Sequence, residues 1–309
     1  MIPPRGPGQG PRGNHPADAF VMSEHPMTTP SASPAPPNVV TIAGVDPSGG
    51  AGVIADVKAM SALGAYACAV IAALTAQNTR GVAAVQPVPP DFVKRQIDVL
   101  FEDVRIDAAK IGMVGQKPVI VAVADGLARW RPPHVVLDPV MVAKSGDLLL
   151  ERDAVGALTE ALLPQATVLT PNLPEAGVLL QERPVDTLKE MRRVAERLRN
   201  RMAYDGQRWV LLKGGHLPGG ETVDVLHDGD RMIEMPGERL TTRNTHGTGC
   251  TLSAALAALL PREPDVPAAA RRAKQYLTEA IRHADSLQVG TGHGPVHHFH
   301  AWWRPDAGR

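Results

Sequence analysis

From Val39 onward, short apolar runs rich in Val, Ile and Leu alternate with longer amphipathic stretches. VVTIA (39–43) has the largely apolar character of a strand covered on both faces, and AGVIADVKAMSAL behind it reads as a helix. The rhythm repeats. ACAVIAAL, ending at Leu74, reads as a strand, Asp91–Phe101 as a helix, AAKIGMV as a strand and VIVAVADGLARW as a helix. HVVLD and ATVLT read as strands on either side of a helical ERDAVGALTEALL. Thr187–Met202 predicts a charged helix, with Leu188, Met191, Val194, Ala195 and Leu198 at i, i+3, i+4 spacing. WVLLK is a strand, ETVDVLH and RMIEMP a hairpin, and Thr251–Leu260 and Ala268–Asp285 two late helices. Strands alternating with helices predict one α/β domain, a central mostly parallel sheet with helices on both faces.

Residues 1–38 break this pattern. They are crowded with Pro, Gly and Ser and hold almost no large apolar side chains, so the expectation is a disordered extension ahead of a single domain over 39–309. The extension has no apolar core of a secretory signal. The 309 residues carry 32 basic and 32 acidic side chains, a balance that gives no footing for nucleic acid or anionic membrane. No apolar run approaches the roughly 20 residues of a membrane span. Two cysteines in unlike contexts, Cys68 and Cys250, form no disulfide framework, and a cytoplasmic setting is expected.

The chemistry-bearing residues collect where strands end. In RNTHGTGCTLSAALAALL, Gly247, Thr248, Gly249 and Cys250 run from a turn straight into an apolar helix. The first N–H groups of such a helix suit a phosphate or the charge on a transferring phosphoryl group, and the same field is expected to lower the Cys250 thiol toward thiolate. An ordinary glycine-rich helix start with a buried cysteine fits the same pattern. A second glycine-rich turn, GVDPSGGAGVIAD, lacks the spacing of a nucleotide P-loop. Asp138 ends HVVLD, Asn172 and Glu175 follow ATVLT, and Lys213 ends WVLLK. Each has a plain reading as a turn cap, helix start or solvated lysine. Together they place acids, an amide and a base at one sheet edge, which favours a phosphate and metal site. His297, His298 and His300 are expected to pack in an aromatic C-terminal segment.

These motifs resemble the hydroxymethylpyrimidine/phosphomethylpyrimidine kinases of thiamine biosynthesis, within the ribokinase-like superfamily. The resemblance starts at TIAGVDPSGGAGVIADVKAMSALGAYACAVIAALTAQNTRGV. It continues in order through VRIDAAKIGMV, VVLDPVMVAKSGDLLL, LLPQATVLTPNLPEA, LLKGGHL, NTHGTGCTLSAALAALLP and VGTGHGPVHHFHAWW, covering about 39–303. It implies a ribokinase-like fold, a homodimer, and ATP with Mg²⁺ as phosphoryl donor to 4-amino-5-hydroxymethyl-2-methylpyrimidine and then to its monophosphate. Carried over by position, Gln77 holds the aminopyrimidine, with Gly44, Asp56 and Met113 near the ring. Asp138, Asn172 and Glu175 then lie near Mg²⁺ and the ATP phosphates, and Lys213 on the phosphates. Gly247, Thr248, Gly249 and Cys250 form an anion hole, with the Cys250 thiolate as a general base beside a site that works mainly by positioning and charge stabilisation. Ile54 departs from the family pattern, where Gln is expected. A pyridoxal or pyridoxine kinase and an inactive pyrimidine-binding sensor are the alternatives.

Overall fold

The computed structural model describes residues 35–141, 149–150, 153–203, 206–219 and 221–303. The expected extension lies outside the described residues as far as position 34, as do the first two residues of ERDAVGALTEALL and most of VAKSGDLLL.

The strands are β1 (Asn38–Val45), β2 (Tyr66–Asn78), β3 (Gly81–Pro87), β4 (Ala108–Ile111), β5 (Val135–Leu137), β6 (Val168–Leu169), β7 (Trp209–Leu212), β8 (Glu221–His227) and β9 (Met232–Glu238). They form one sheet in the order β3-β2-β1-β4-β5-β6-β7-β8-β9. The strands from β2 to β7 pair in parallel, while β3 at one edge and β8 and β9 at the other are antiparallel. The helices are α1 (Gly52–Ala62), α2 (Pro90–Asp103), α3 (Lys117–Trp130), α4 (Ala154–Ala157), α5 (Leu173–Leu180), α6 (Leu188–Arg199), α7 (Thr248–Leu259) and α8 (Val266–Arg282).

Two apolar cores sandwich the sheet. One joins Val93, Ile97, Ile120, Leu158, Leu179 and Leu198 of α2 to α6 and the turn after α4. The other joins Met60 of α1 to Leu252, Leu256 and Leu259 of α7 and Ala269 and Ala273 of α8. α7 is buried from Thr251 through Leu259, which explains why its sequence is apolar all round.

Four elements differ from the sequence expectation. β2 runs four residues past Leu74, and β3 follows it as an edge strand. Over Leu74–Asn78 the strand pairs with β3 and alternates in exposure, so the continuous apolar signature of a central strand is missing there. α5 lies in TPNLPEA, where Asn172 caps it: Asn172 Oδ1 accepts from the Glu175 N–H, and Glu175 Oε2 accepts from the Asn172 N–H. Finally, the helix expected over ERDAVGALTEALL loosens after α4, where Leu163 N–H reaches back five residues to the Leu158 carbonyl. Pro164, lacking an N–H, closes that stretch as a short tight turn.

Candidate active site

The carboxyl ends of the parallel strands open into a cavity of about 510 Å³, within the range of small-molecule sites. Its wall includes Gly44 from β1, Gln77 from β2, Met113 beyond β4, Asp138 beyond β5, Asn172 and Glu175 at α5, Lys213 beyond β7, and Gly247, Thr248, Gly249 and Cys250 at the start of α7. Every site residue expected from sequence is there except Asp56.

At one end the cavity is charged. Asp138 is almost fully buried and accepts from Lys213 Nζ at 3.1 Å and Thr170 Oγ1 at 3.1 Å through Oδ1, and from Ser253 Oγ at 3.1 Å through Oδ2. Burial alone would raise this carboxyl. The Lys213 and Lys110 charges, with the Lys213 and Ser253 hydrogen bonds, outweigh it and hold Asp138 below the usual carboxylate range. Lys213 Nζ also stands 3.9 Å from Glu175 Oε2. Burial pushes the Glu175 carboxyl up to about 7, with Lys213 opposing and Asp138 adding to the rise. Lys213 itself loses solvation, yet Asp138 and Glu175 keep its ammonium more basic than usual.

The loop into α7 adds Thr245 and His246 to the cavity wall. Gly247 takes φ 76°, and a side chain there would overlap the Gly50 carbonyl oxygen, so the two glycine-rich turns meet at that point. Their junction is pinned by His246 Nε2, which donates to Asp46 Oδ2 at 2.7 Å. Asp46 also accepts from Ser48 N–H at 2.8 Å and Ala51 N–H at 3.0 Å. It is a clamp between loops. A Cβ on Gly249 would stand 3.3 Å from Lys213 Nζ, so the first turn of α7 faces the same charges.

Cys250 corrects one expectation. Its side chain is half-buried and lines the cavity, but the atoms packed around it remove enough solvation to push the thiol up to about 11, outweighing the Lys110 charge and the Gly52 N–H that favour thiolate. Asp56 corrects another. It is fully buried, away from the cavity wall, and pairs with equally buried Lys110 at 2.8 Å while Thr41 donates to the same Oδ2 at 2.6 Å. Its Oδ1 has no partner among the described residues. Burial opposes the Lys110 charge, but Asp56, Cys250 and Asp138 together keep Lys110 protonated well past its ordinary range.

The opposite end is quieter. Gly44 N–H donates to the Met113 carbonyl at 2.9 Å, and a side chain on Gly44 would overlap the Met113 methyl group. Thr75 Oγ1 is shared between the Val45 carbonyl at 2.8 Å and Gln77 Oε1 at 3.2 Å, which orients the carboxamide. Ile54 is not on the wall, so its departure from the family pattern leaves the lining intact. In the C-terminal segment His298 Nε2 meets Thr251 Oγ1 at 3.1 Å, and Trp303 packs on His297 and Phe299. These histidines pack as expected.

Ser253, Thr170, His246 and Lys110 escaped the sequence reading. Ser253 was within reach, four residues beyond Gly249 on one helix face. Lys110 had a signal too, as the lone charge in an apolar strand.

A family model described as phosphomethylpyrimidine kinase matches residues 46–297. The hydroxymethylpyrimidine/phosphomethylpyrimidine kinase of Escherichia coli K12 is 53% identical over 268 residues, covering 86% of this chain and 98% of that protein. Its Rhizobium meliloti counterpart is 51% identical over 265 residues, covering 86% and 98%. Among solved structures, pyridoxal kinase from Staphylococcus aureus in complex with ADP superposes with TM-score 0.78 at 30% identity, covering 87% of this chain and 95% of that one. Phosphomethylpyrimidine kinase from Clostridium difficile 630 gives TM-score 0.69 at 39% identity, covering 79% and 99%. With a ribokinase-like sheet, a strand-end cavity holding the motif residues, and relatives of this identity along almost their whole length, the chain belongs to the phosphomethylpyrimidine kinase family.

Proposed function

We propose that this kinase transfers the γ-phosphoryl group of ATP to the hydroxymethyl oxygen of 4-amino-5-hydroxymethyl-2-methylpyrimidine. It then phosphorylates the monophosphate to the diphosphate, on the route to thiamine diphosphate. The observation that carries this reading is the polarity of one cavity, with Gln77, Gly44 and Met113 at one end and Asp138, Glu175 and Lys213 at the other. The acceptor lies at the first end, where Gln77 offers a donor and an acceptor to an aminopyrimidine edge. The ATP phosphates lie at the second, on Lys213 and the first amides of α7.

In the first transfer the hydroxymethyl oxygen bonds to the γ-phosphorus as the bond to the β-phosphate bridging oxygen breaks and ADP departs. The hydroxyl proton passes to the Cys250 sulfur in its thiolate form, the minor form at neutral pH because the thiol stands at about 11. Most of the rate comes from positioning and charge stabilisation. The amides of Gly247, Thr248 and Gly249 and the Lys213 ammonium meet the charge that spreads over the transferring group. The second acceptor is a phosphate oxygen, already ionised above a pKa of about 6, so no proton has to leave it.

Asp138 and Glu175 present the hard oxygen donors that suit Mg²⁺, and Asn172 stands beside them as the cap of α5. Bound there, Mg²⁺ would neutralise phosphate charge. The same reading includes a homodimer in the cytoplasm. No helix among the described residues is long and apolar enough to cross a membrane.

The likeness to pyridoxal kinase gives a second acceptor to test. Purified protein with ATP and Mg²⁺ is offered the pyrimidine alcohol, its monophosphate and pyridoxal, and products are identified by mass. Mono- and diphosphate of the pyrimidine are expected. Phosphorylation of pyridoxal alone would replace this reading with the second.

A further inference from the structure

The segment that follows β7, residues 213–219, carries Lys213 and His216 to the cavity wall. It is glycine-rich, and loops of that composition are usually the least constrained part of a site. Here its backbone is held from several directions. On the β6 side, Lys213 N–H donates to the Pro171 carbonyl at 2.9 Å. On the β8 side, Gly214 N–H donates to Oδ1 of buried Asp224 at 2.8 Å. Asp224 is fixed in turn by Lys274 of α8, 2.8 Å from Oδ2, and Lys274 also donates to the Met235 carbonyl at 2.6 Å.

The remainder of the loop is gathered by one side chain. Arg239, just past β9, donates through Nη1 to the Gly215 carbonyl at 2.9 Å, through Nη2 to Leu217 at 2.7 Å and through Nε to Gly219 at 2.9 Å. Among the described residues all its hydrogen bonds go to this loop, and it forms no ion pair. A guanidinium presents several donors in a rigid plane, which suits three carbonyls of one curved segment. An ammonium, with its donors on a single atom, cannot span them.

We propose that Arg239 is a positioning residue for the nucleotide: by holding the 213–219 loop it keeps Lys213 and His216 facing the phosphates, while Asp224 anchors the first peptide of that loop. Arg239 is not on the cavity wall. Its contribution is the ordering of a glycine-rich segment before ATP arrives, so that binding does not bear that entropy. The proposal rests on the reading of Lys213 as a phosphate contact.

The test compares Arg239→Ala, Arg239→Lys and Lys213→Ala, with Arg262→Ala as a control. Arg262 donates to the Leu63 and Gly64 carbonyls at the turn before β2, the same kind of staple away from the cavity. ADP affinity is measured by titration, KM by steady state for ATP and the pyrimidine alcohol, and folding by thermal melting. Arg239→Ala is expected to weaken ADP binding and raise KM for ATP about tenfold, with pyrimidine KM within about twofold of the parent. Arg239→Lys, the milder change should the alanine variant fold poorly, recovers part of this. Arg262→Ala changes neither KM. Unchanged nucleotide affinity in Arg239→Ala, equal losses for both substrates, or full recovery by lysine would each overturn the proposal. Should Lys213→Ala also leave ADP binding intact, the phosphate reading of the loop falls with it. A loss in Lys213→Ala alone removes only the role of Arg239.

Discussion

Two lysine–aspartate pairs stand at the same edge of the sheet, and they differ in what can reach them. In Lys213–Asp138 the side chains are 15% and 2% exposed, and the lysine opens onto the cavity. In Lys110–Asp56 both are at 0%, sealed beneath it. An ion pair sealed from water must overcome its own desolvation and rarely stabilises a fold better than apolar packing would. The open pair can exchange partners with a ligand, whereas the sealed pair holds a fixed charge. Cys250 lies in the field of both lysines. One pair therefore faces the cavity while the other lies sealed, and both set the electrostatic background for the thiol.

The largest expected effect breaks the site between the two pairs. Cys250→Ala keeps the α7 amides but removes the proposed proton acceptor, so phosphorylation of the alcohol should fall about 10²–10⁴-fold. Phosphorylation of the monophosphate, which needs no base, should fall far less. With the thiol at about 11, thiolate is the minor form below that pH and grows about tenfold per pH unit. The base-assisted step in the parent should thus rise with pH from 7 to 10, and lose that slope in the variant. Single-turnover rates for each acceptor across pH test this. Equal losses for both acceptors would remove the base role and leave Cys250 as a packing residue.

Next in size is the sealed pair. Lys110→Met strands Asp56 in the interior and should cost about 3–5 kcal/mol of stability. Burial already holds the Asp56 carboxyl above its ordinary value in the parent, and without the opposing Lys110 charge it climbs further and escapes by protonation. The variant should therefore lose stability as pH climbs from about 4 toward that raised pKa. Removing both charges, in Lys110→Met with Asp56→Leu, should recover most of the loss while alkylation of Cys250 becomes slower than in the parent. Lys213→Met should destabilise less, because Thr170 and Ser253 still donate to Asp138. Denaturant melts at several pH values compare the variants, and equal losses from the two lysine changes would erase the distinction.

The smallest effect lies at the uncharged end. Gln77→Ala should weaken pyrimidine binding by about 1–3 kcal/mol through an unpaired ring group, leaving ADP affinity unchanged. Matched titrations with both ligands check it, and parallel losses would mean that the β2–β3 ribbon had been disturbed.

Much of the site was legible because strand ends in a parallel sheet converge on one edge. A residue closing an apolar run, such as Asp138 or Lys213, is placed by that rule alone. Asp56 was misplaced near the ring because its true partner, Lys110, is 54 positions away and on another strand. The thiol of Cys250 was misjudged for a related reason. A helix N-terminus is visible in GTGC, but the burial that outweighs it comes from the elements packed around it. β3 and the far half of β2 stayed hidden because an edge ribbon has no continuous apolar run.

By itself the sequence determined the alternation of buried strands and amphipathic helices, and with it a mostly parallel sheet whose carboxyl ends carry the reactive side chains. It determined these because apolar periodicity and strand-end position are local properties. Only the tertiary structure decided which lysine faces the cavity and which is sealed, how high the Cys250 thiol stands, and that Arg239 closes on a loop 20 or more residues before it. Those outcomes depend on desolvation and on contacts between distant segments, and both arise only when the chain packs.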